Sequence, residues 1–496
     1  GDDSEKFGLW PGTHEWVFEK GWLQRFIEAV LKEDDWLATG LPGQYLQSRS
    51  ASGQVYLPTA SYEEMLTWAL PADSSLELER LIKSLQAEGR YEQMRKFLRG
   101  GLWDNFLIKY RESNLMHKRM LYISAKLNQS GAGAQAWDHL FQAQCNCAYW
   151  HGLFGGLYLG HLRAAVHEHL IAAEDICDRH DNGDSKWAHC EVRDLDLDGN
   201  EEVILANPEM DAVVHPSYGG SLSVLNLRRR RFNLALALTR RPEAYHAHFQ
   251  EEGTASDQGE QPKSIHDQVV FKEANLEKYL IYDWYERCLF QDHIFPVDTD
   301  LDSLQKAKHQ EWGDFIDQPY QLSGPSSQEE GRAEVGLLRQ GNIWAPGGPL
   351  PLSLEKKFTL GPGPHLKISY FLEAPRPEIP ALCFGVELNF SFLSGDDPGK
   401  RLELAGGEVV GLDKPAQAQD VSSLSLANHT DGFKVGLTFS EPARVWCFPV
   451  ETVSQSESGL ERTYQGSSLT LVWDHGGGPI SRQFNLRLST EDILGT

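Results

Sequence analysis

At 496 residues the chain is too long for one hydrophobic core, which usually stops growing well below that length, so two or three domains are expected. A composition of 41% hydrophobic, 24% charged and 10% aromatic residues excludes extended disorder. A formal net charge of -25 repels phosphate backbones and anionic headgroups, which argues against nucleic acid and membrane partners and favours neutral ligands.

The chain opens GDDSEKFGLWPGTHEWVFEKGW, with Asp2, Asp3 and Glu5 ahead of Trp10, Trp16 and Trp22. Carboxylates beside indole rings are the materials of a sugar-cleaving site, an acid to protonate a glycosidic oxygen and flat faces for pyranose rings. They equally suit an acidic cap before a turn, with the tryptophans in a core. From Glu19 to Leu31 the residues Trp22, Phe26 and Val30, flanked by Leu23, Ile27 and Leu31, predict an amphipathic helix. Ser61 with Glu64 three positions on predicts a reciprocal cap for the next helix. Helical periodicity recurs over Leu76 to Ala87, Tyr91 to Leu98, Glu112 to Leu127 and about Leu157 to Asp175, giving a helical domain over 61–184.

Within that domain CNCAYWHGLFGGLYLGHLR, Cys145 to Arg163, predicts a tight loop delivering Tyr149, Trp150 and His151 ahead of a helix; a buried aromatic turn is the plainer reading. Cys145 and Cys147 lack the CxxC spacing of structural zinc sites. His161, His167 and His169 lie on or near that helix, His167 and His169 on different sides of it, and all three read as surface or core residues rather than ligands. Seven scattered cysteines form no secreted framework and favour a reducing, cytoplasmic setting.

After Cys177 the pattern changes to short runs such as EEVILAN, SLSVLNL, HLKISYFLEA, VELNFSFL, SSLTLVW and QFNLRLS, bounded by turn residues. They predict a large antiparallel β-sandwich over 185–496, with loops at Gln250 to Lys263 and Ser323 to Arg332 and a solvated, acid-paired basic run at Arg228 to Arg231. Ahead of the first long strand stands RDLDLDGNEEV. Asp194, Asp196 and Asp198 alternate before Gly199, with Glu202 beyond, a pattern that can wrap a structural Ca²⁺, although Leu205 at the twelfth position excludes an EF-hand. A plain acidic turn fits as well.

Four stretches carry a more specific signal: DDSEKFGLWPGTHEWVFEKGW, NFLIKYRESNLMHKRM (Asn105 to Met120), CNCAYWHGLFGGLYLGHLR and ETVSQSESGLERTYQG (Glu451 to Gly466). Together they resemble the α-amylase and 4-α-glucanotransferase proteins of glycoside hydrolase family 57. The resemblance implies a multidomain α+β chain: the C-terminal part of a catalytic (β/α)7 barrel over 1–60, a helical domain over 61–184 and a β-sandwich over 185–496. It implies retaining action on α-1,4-glucans or maltooligosaccharides, with no cofactor in the chemistry. Asp3 matches the general acid/base, with Asp2 as its neighbour and as the alternative if the register shifts by one; Ser4 stands where the family commonly has Gly. Glu5, Lys6, Phe7 and Trp10 match residues that hold the acid or stack on sugar, and like charges around Asp3 would raise its pKa. Trp150 and His151 match a motif lining the glucan site, although Cys147 stands where many relatives have Asp. The Glu nucleophile of the family lies upstream of the matching motif, so the resemblance implies a portion of a larger enzyme, inactive alone. A non-catalytic carbohydrate-binding or assembly module is the rival expectation, and either is compatible with a homo-oligomer.

Overall fold

The structure, a computed structural model, describes residues 13–57, 61–152, 155–183, 186–250, 271–323, 331–456 and 459–493. The chain packs as two units: 1–103 with 244–272 and 457–460, and 104–243 with 273–456 and 461–496.

Up to residue 103 the described part of the first unit is helical; Phe271 and Leu460 add a parallel bridge. A short π-helical turn, Glu15–Glu19, precedes α1 (Trp22–Lys32), α2 (Pro42–Ser48), α3 (Glu63–Trp68), α4 (Ala72–Ala87) and α5 (Tyr91–Met94). Glycine at position 21, with φ at +68°, makes the turn into α1. The predicted amphipathic face forms, with Trp22 stacked on Phe26 at 5.5 Å and on Trp16 at 5.7 Å. Its apolar side chains stay accessible, Phe26 at 52% and Leu31 at 69%. The reciprocal cap expected at Ser61 is absent: the helix starts at Glu63, Tyr62 is its cap, and no side chain bonds there. Among the described residues of 1–60 there are helices and no strand, so these residues give the expected barrel portion no β element.

The second unit opens with helices. After α6 (Trp103–Lys109), α7 (Arg111–Gln129) buries Met116, Met120, Ile123 and Leu127, a single stripe at helical spacing. α8 (Ala134–Ala143) and α9 (Gly160–Asn182) complete this layer, α9 presenting Val166, Leu170, Ala173 and Cys177 inward. His167 is buried against Asn233, and His169 meets His139 at 2.9 Å, so both are packed side chains.

The strands follow in two antiparallel series. One runs β1 (His189–Arg193), β2 (Glu202–Ala206), β3 (Met210–His215) and β4 (Ser221–Leu227), which pairs with both β5 (Phe232–Asn233) and β6 (Leu289–Pro296). The other begins with β7 (Gln321–Leu322), β8 (Ala333–Ala345), β9 (Gly348–Leu360) and β10 (His365–Ala374). β11 (Leu382–Phe390) returns to the first series beside β6. Then come β12 (Lys400–Leu404), β13 (Val409–Gly411), β14 (Ala416–Asn428), β15 (Phe433–Ser456), β16 (Gly459–His475) and β17 (Ile480–Asp492). β17 joins β10 to β15, β15 pairs β14, and β16 pairs β11. Leu205 and Leu225 of the first series share one core with Phe358, Ile368 and Leu486 of the second, which makes the pair a sandwich. β9, β10 and β17 alternate buried and accessible residues; β11 is buried along its whole length because strands flank it and layers cover both its faces.

Charge locks the helices to the sheet. Arg119 of α7 meets Glu174 of α9 at 2.6 Å and Asp211 of β3 at 3.3 Å, and Arg228 meets Asp178 at 2.7 Å and Asp211 at 3.2 Å. The basic run is thus paired with acids as expected, but Arg228 is buried rather than solvated, while Arg229 and Arg230 reach Glu209 and Asp492 at the surface. All seven cysteines are free thiols. Among the described residues no helix is long and apolar enough to cross a membrane.

Candidate functional site

Asp2, Asp3, Glu5, Lys6, Phe7 and Trp10 lie outside the described residues. The other motif residues converge. After α8 the chain makes a 3-10 turn, Asn146–Tyr149, carries Trp150 and His151, and turns again at Gly156–Tyr158 before α9. Two glycines shape this loop. Gly155 and Gly156 have φ of +84° and +49°, and a β-carbon on Gly156 would lie 1.9 Å from the Trp150 carbonyl oxygen, which accepts from Leu157 N at 2.8 Å.

His151 is fully buried, and its Nδ1–H donates to the Gly155 carbonyl at 3.0 Å, since a carbonyl can only accept. Its ring sits edge-on to Tyr158 at 4.4 Å and Tyr110 at 6.1 Å, while Trp150, half-buried, packs on Phe106 at 4.7 Å. A carboxylate that the sequence did not single out anchors the cluster. Glu243 accepts from Tyr110 Oη at 2.6 Å, Tyr158 Oη at 2.7 Å and Lys109 Nζ at 3.0 Å. Burial works to raise its pKa, yet Lys109, His151 and the two tyrosine hydroxyls hold it below the usual carboxylate value. No local pattern marks Glu243, which stands in the irregular stretch RRPEAY, 133 residues from Tyr110.

The loop is held from its other side by Arg163 on α9. This buried guanidinium bonds the carbonyls of Leu157 and Leu236 and, at 2.8 Å, Gln465 Oε1; Gln465 Nε2 in turn donates to the Tyr158 carbonyl at 2.9 Å. Ser113 of α7 donates to the Tyr149 carbonyl at 2.6 Å. Phe106, Tyr110 and Ser113, the Tyr149–His151 and Leu157–Arg163 segments, and Gln465, far apart in sequence, therefore meet at one loop, whose half-buried Trp150 packs its ring on Phe106.

The acidic turn lies between β1 and β2. Asp194, Asp196 and Asp198 are gathered with their ligand atoms all within 4.8 Å of one another. Glu202 joins not this trio but a second one that shares Asp196 and adds His215, which the sequence reading did not include. Glu202 Oε2 accepts from Leu195 N at 2.7 Å, and His215 Nε2 meets Ser223 Oγ at 2.6 Å. Burial, then the neighbouring Asp198, pushes Asp196 up to about 6, and burial first of all pushes Glu202 up to about 7. Burial, then Arg111, pushes His215 down to about 4, so at neutral pH its imidazole carries no charge to offset them.

The chain matches known proteins over nearly its whole length. The C-terminal model of the alpha-amylase/4-alpha-glucanotransferase family matches residues 194–488, and the middle-domain model matches 101–177. A 4-alpha-glucanotransferase of Thermococcus litoralis is 36% identical over 494 residues, 99% of this chain and 68% of that protein. An alpha-amylase of Pyrococcus furiosus is 37% identical over 468 residues, 94% of this chain and 64% of that one. The crystal structure of 4-alpha-glucanotransferase from Thermococcus litoralis superposes with a TM-score of 0.72 at 32% identity, covering 98% of this chain and 66% of that chain. The chain thus spans about two thirds of the length of these relatives. With this sandwich, this helical layer and these motifs in place, the chain belongs to the α-amylase/4-α-glucanotransferase family, glycoside hydrolase family 57.

Proposed function

We propose that the protein acts on α-1,4-glucans as a 4-α-glucanotransferase or α-amylase, by retaining double displacement with Asp3 as general acid and then base. The observation that carries this reading is the meeting of three family motifs at the Trp150 loop, braced by Glu243 and Arg163. In such a reaction Asp3 protonates the departing glycosidic oxygen, then takes a proton from the acceptor, water for hydrolysis or a sugar hydroxyl for transfer. Asp2, Glu5, Lys6, Phe7 and Trp10 hold the acid or stack on sugar, and Trp150 lays its ring against a pyranose, while the buried His151 braces the loop through Tyr158 and the Gly155 carbonyl. The choice between water and sugar depends on how well the closed site excludes water. No residue of this chain is assigned the part of the nucleophile.

Two measurements test the reading. Titration of maltooligosaccharides, followed by tryptophan fluorescence, is expected to show saturable binding that weakens roughly tenfold in Trp150→Ala, about 1.4 kcal/mol. In whichever length of the protein turns the sugars over, Asp3→Asn is expected to lower kcat roughly 10²- to 10⁴-fold with KM little changed. Turnover indifferent to Asp3→Asn overturns the acid/base assignment, and saturable binding with no turnover at any length favours a carbohydrate-binding module.

A further inference from the structure

We propose that the turn 194–199 and Glu202 form a binding site for one divalent cation of the calcium class. Ca²⁺ sits about 2.3–2.6 Å from its oxygen ligands, so ligands on opposite sides of one ion lie up to about 5 Å apart. The carboxylate oxygens of Asp194, Asp196 and Asp198 all fall within 4.8 Å of one another, a span that a single such ion bridges.

An independent observation comes from Glu202, which is fully buried yet has no hydrogen-bond donor on Oε1. Its other oxygen is tied to the backbone of the turn at Leu195 N and, at 3.4 Å, Asp196 N, which holds this carboxylate beside that of Asp196. A buried carboxylate oxygen facing no donor is costly, and a cation placed against it removes the cost. The guanidinium that reaches the turn belongs to Arg111, 3.4 Å from Asp198, and it is divided with Glu286 at the same distance. Four carboxylates are thus set against part of one positive charge.

The donor set also selects the ion. Carboxylate oxygens before a glycine turn suit a hard cation, whereas a site for zinc would draw on the imidazole. His215 groups with Asp196 and Glu202, its Nε2 on Ser223 Oγ and its Nδ1 3.5 Å from Glu202 Oε1, while the aspartate trio offers oxygen atoms alone. An ion held there ties the β1–β2 turn to the start of β2, while Asn114 Nδ2 of α7 separately donates to the Asp196 carbonyl at 2.8 Å. The role is structural and independent of the proposed catalytic reading.

The test uses the whole chain, stripped of metal by chelator and dialysis, with CaCl2 alone as the probe. Calorimetry is expected to give one site per chain, and thermal melts an upward shift in Tm on adding Ca²⁺. Asp196→Asn is expected to abolish both, and Asp198→Asn to weaken binding about tenfold or more by removing one ligand charge. Because the Asp198 side chain is 30% accessible, its variant is expected to melt with wild type in chelator, which separates lost binding from lost folding. Absence of both heat and thermal shift with Ca²⁺ overturns the proposal. Preferential binding of Zn²⁺ that is lost in His215→Gln overturns it as well.

Discussion

Two carboxylates of the sandwich unit, Glu387 and Glu202, both lack accessible surface and end in opposite states. Glu387 has a donor at every turn: Arg287 Nη1 at 2.7 Å and Ser468 Oγ at 2.8 Å on one oxygen, Tyr285 Oη at 2.6 Å and His293 Nε2 at 2.9 Å on the other. Burial works to raise its pKa, but Arg287 and His293 hold it well below the usual carboxylate range. Glu202 has backbone donors on one oxygen and none on the other, and burial pushes it up to about 7. Burial sets only the size of the stakes, and counter-charge sets the sign.

Neutralising each residue sharpens that contrast. Glu387→Gln leaves Arg287 and His293 buried without their shared acid and is expected to cost about 3–5 kcal/mol, read from urea unfolding. An effect under about 1 kcal/mol there would break the comparison. Next in size is the pH dependence carried by His293. Burial works to lower its pKa, but Glu311 and Glu387 together push it up to about 9, above the unfolded value of about 6.5. Its contribution is therefore fully present below about 6.5 and lost as pH rises through about 9, on the order of 3 kcal/mol. Melts across that window should show the loss, and His293→Gln should flatten it. The smallest effect is expected from Glu202→Gln. In chelator it removes a charge that only the Leu195 and Asp196 backbone N–H groups offset, so metal-free stability should stay within about 1 kcal/mol of wild type or rise. A large metal-free loss would place Glu202 with Glu387 after all.

The sequence shows what is local. Period-two alternation marked 365–374 and QFNLRLS as strands, the stripe from Met116 to Leu127 marked α7, and the spacing of Asp194, Asp196 and Asp198 announced a turn that does gather them. It was silent on what folding brings from afar. Glu243 acquires its role only through Tyr110 and Tyr158, 133 and 85 residues away, and nothing in RRPEAY distinguishes it from a surface acid. Arg228, one of four consecutive arginines, is drawn inward by Asp178 and Asp211, partners no local rule identifies. At Ser61 the local rule itself failed, because the helix begins two residues later, out of reach of that hydroxyl.

The paired glycines under Trp150 have a consequence for how such a site can change over time. The indole is displayed by a backbone turn that closes on the Trp150 carbonyl itself, where a single added methyl at 156 would collide. What the loop shows to solvent and how it is mounted are thus separately encoded. Residue 150 can be exchanged to alter the ring the loop presents while the mount stays put, whereas a side chain at 156 dislodges the ring and the entry into α9 together. On the proposed glucan-binding reading, substitutions at 150 and at its ring partner Phe106 are expected to change sugar affinity while leaving the melting temperature nearly unchanged, whereas Gly156→Ala is expected to lower both.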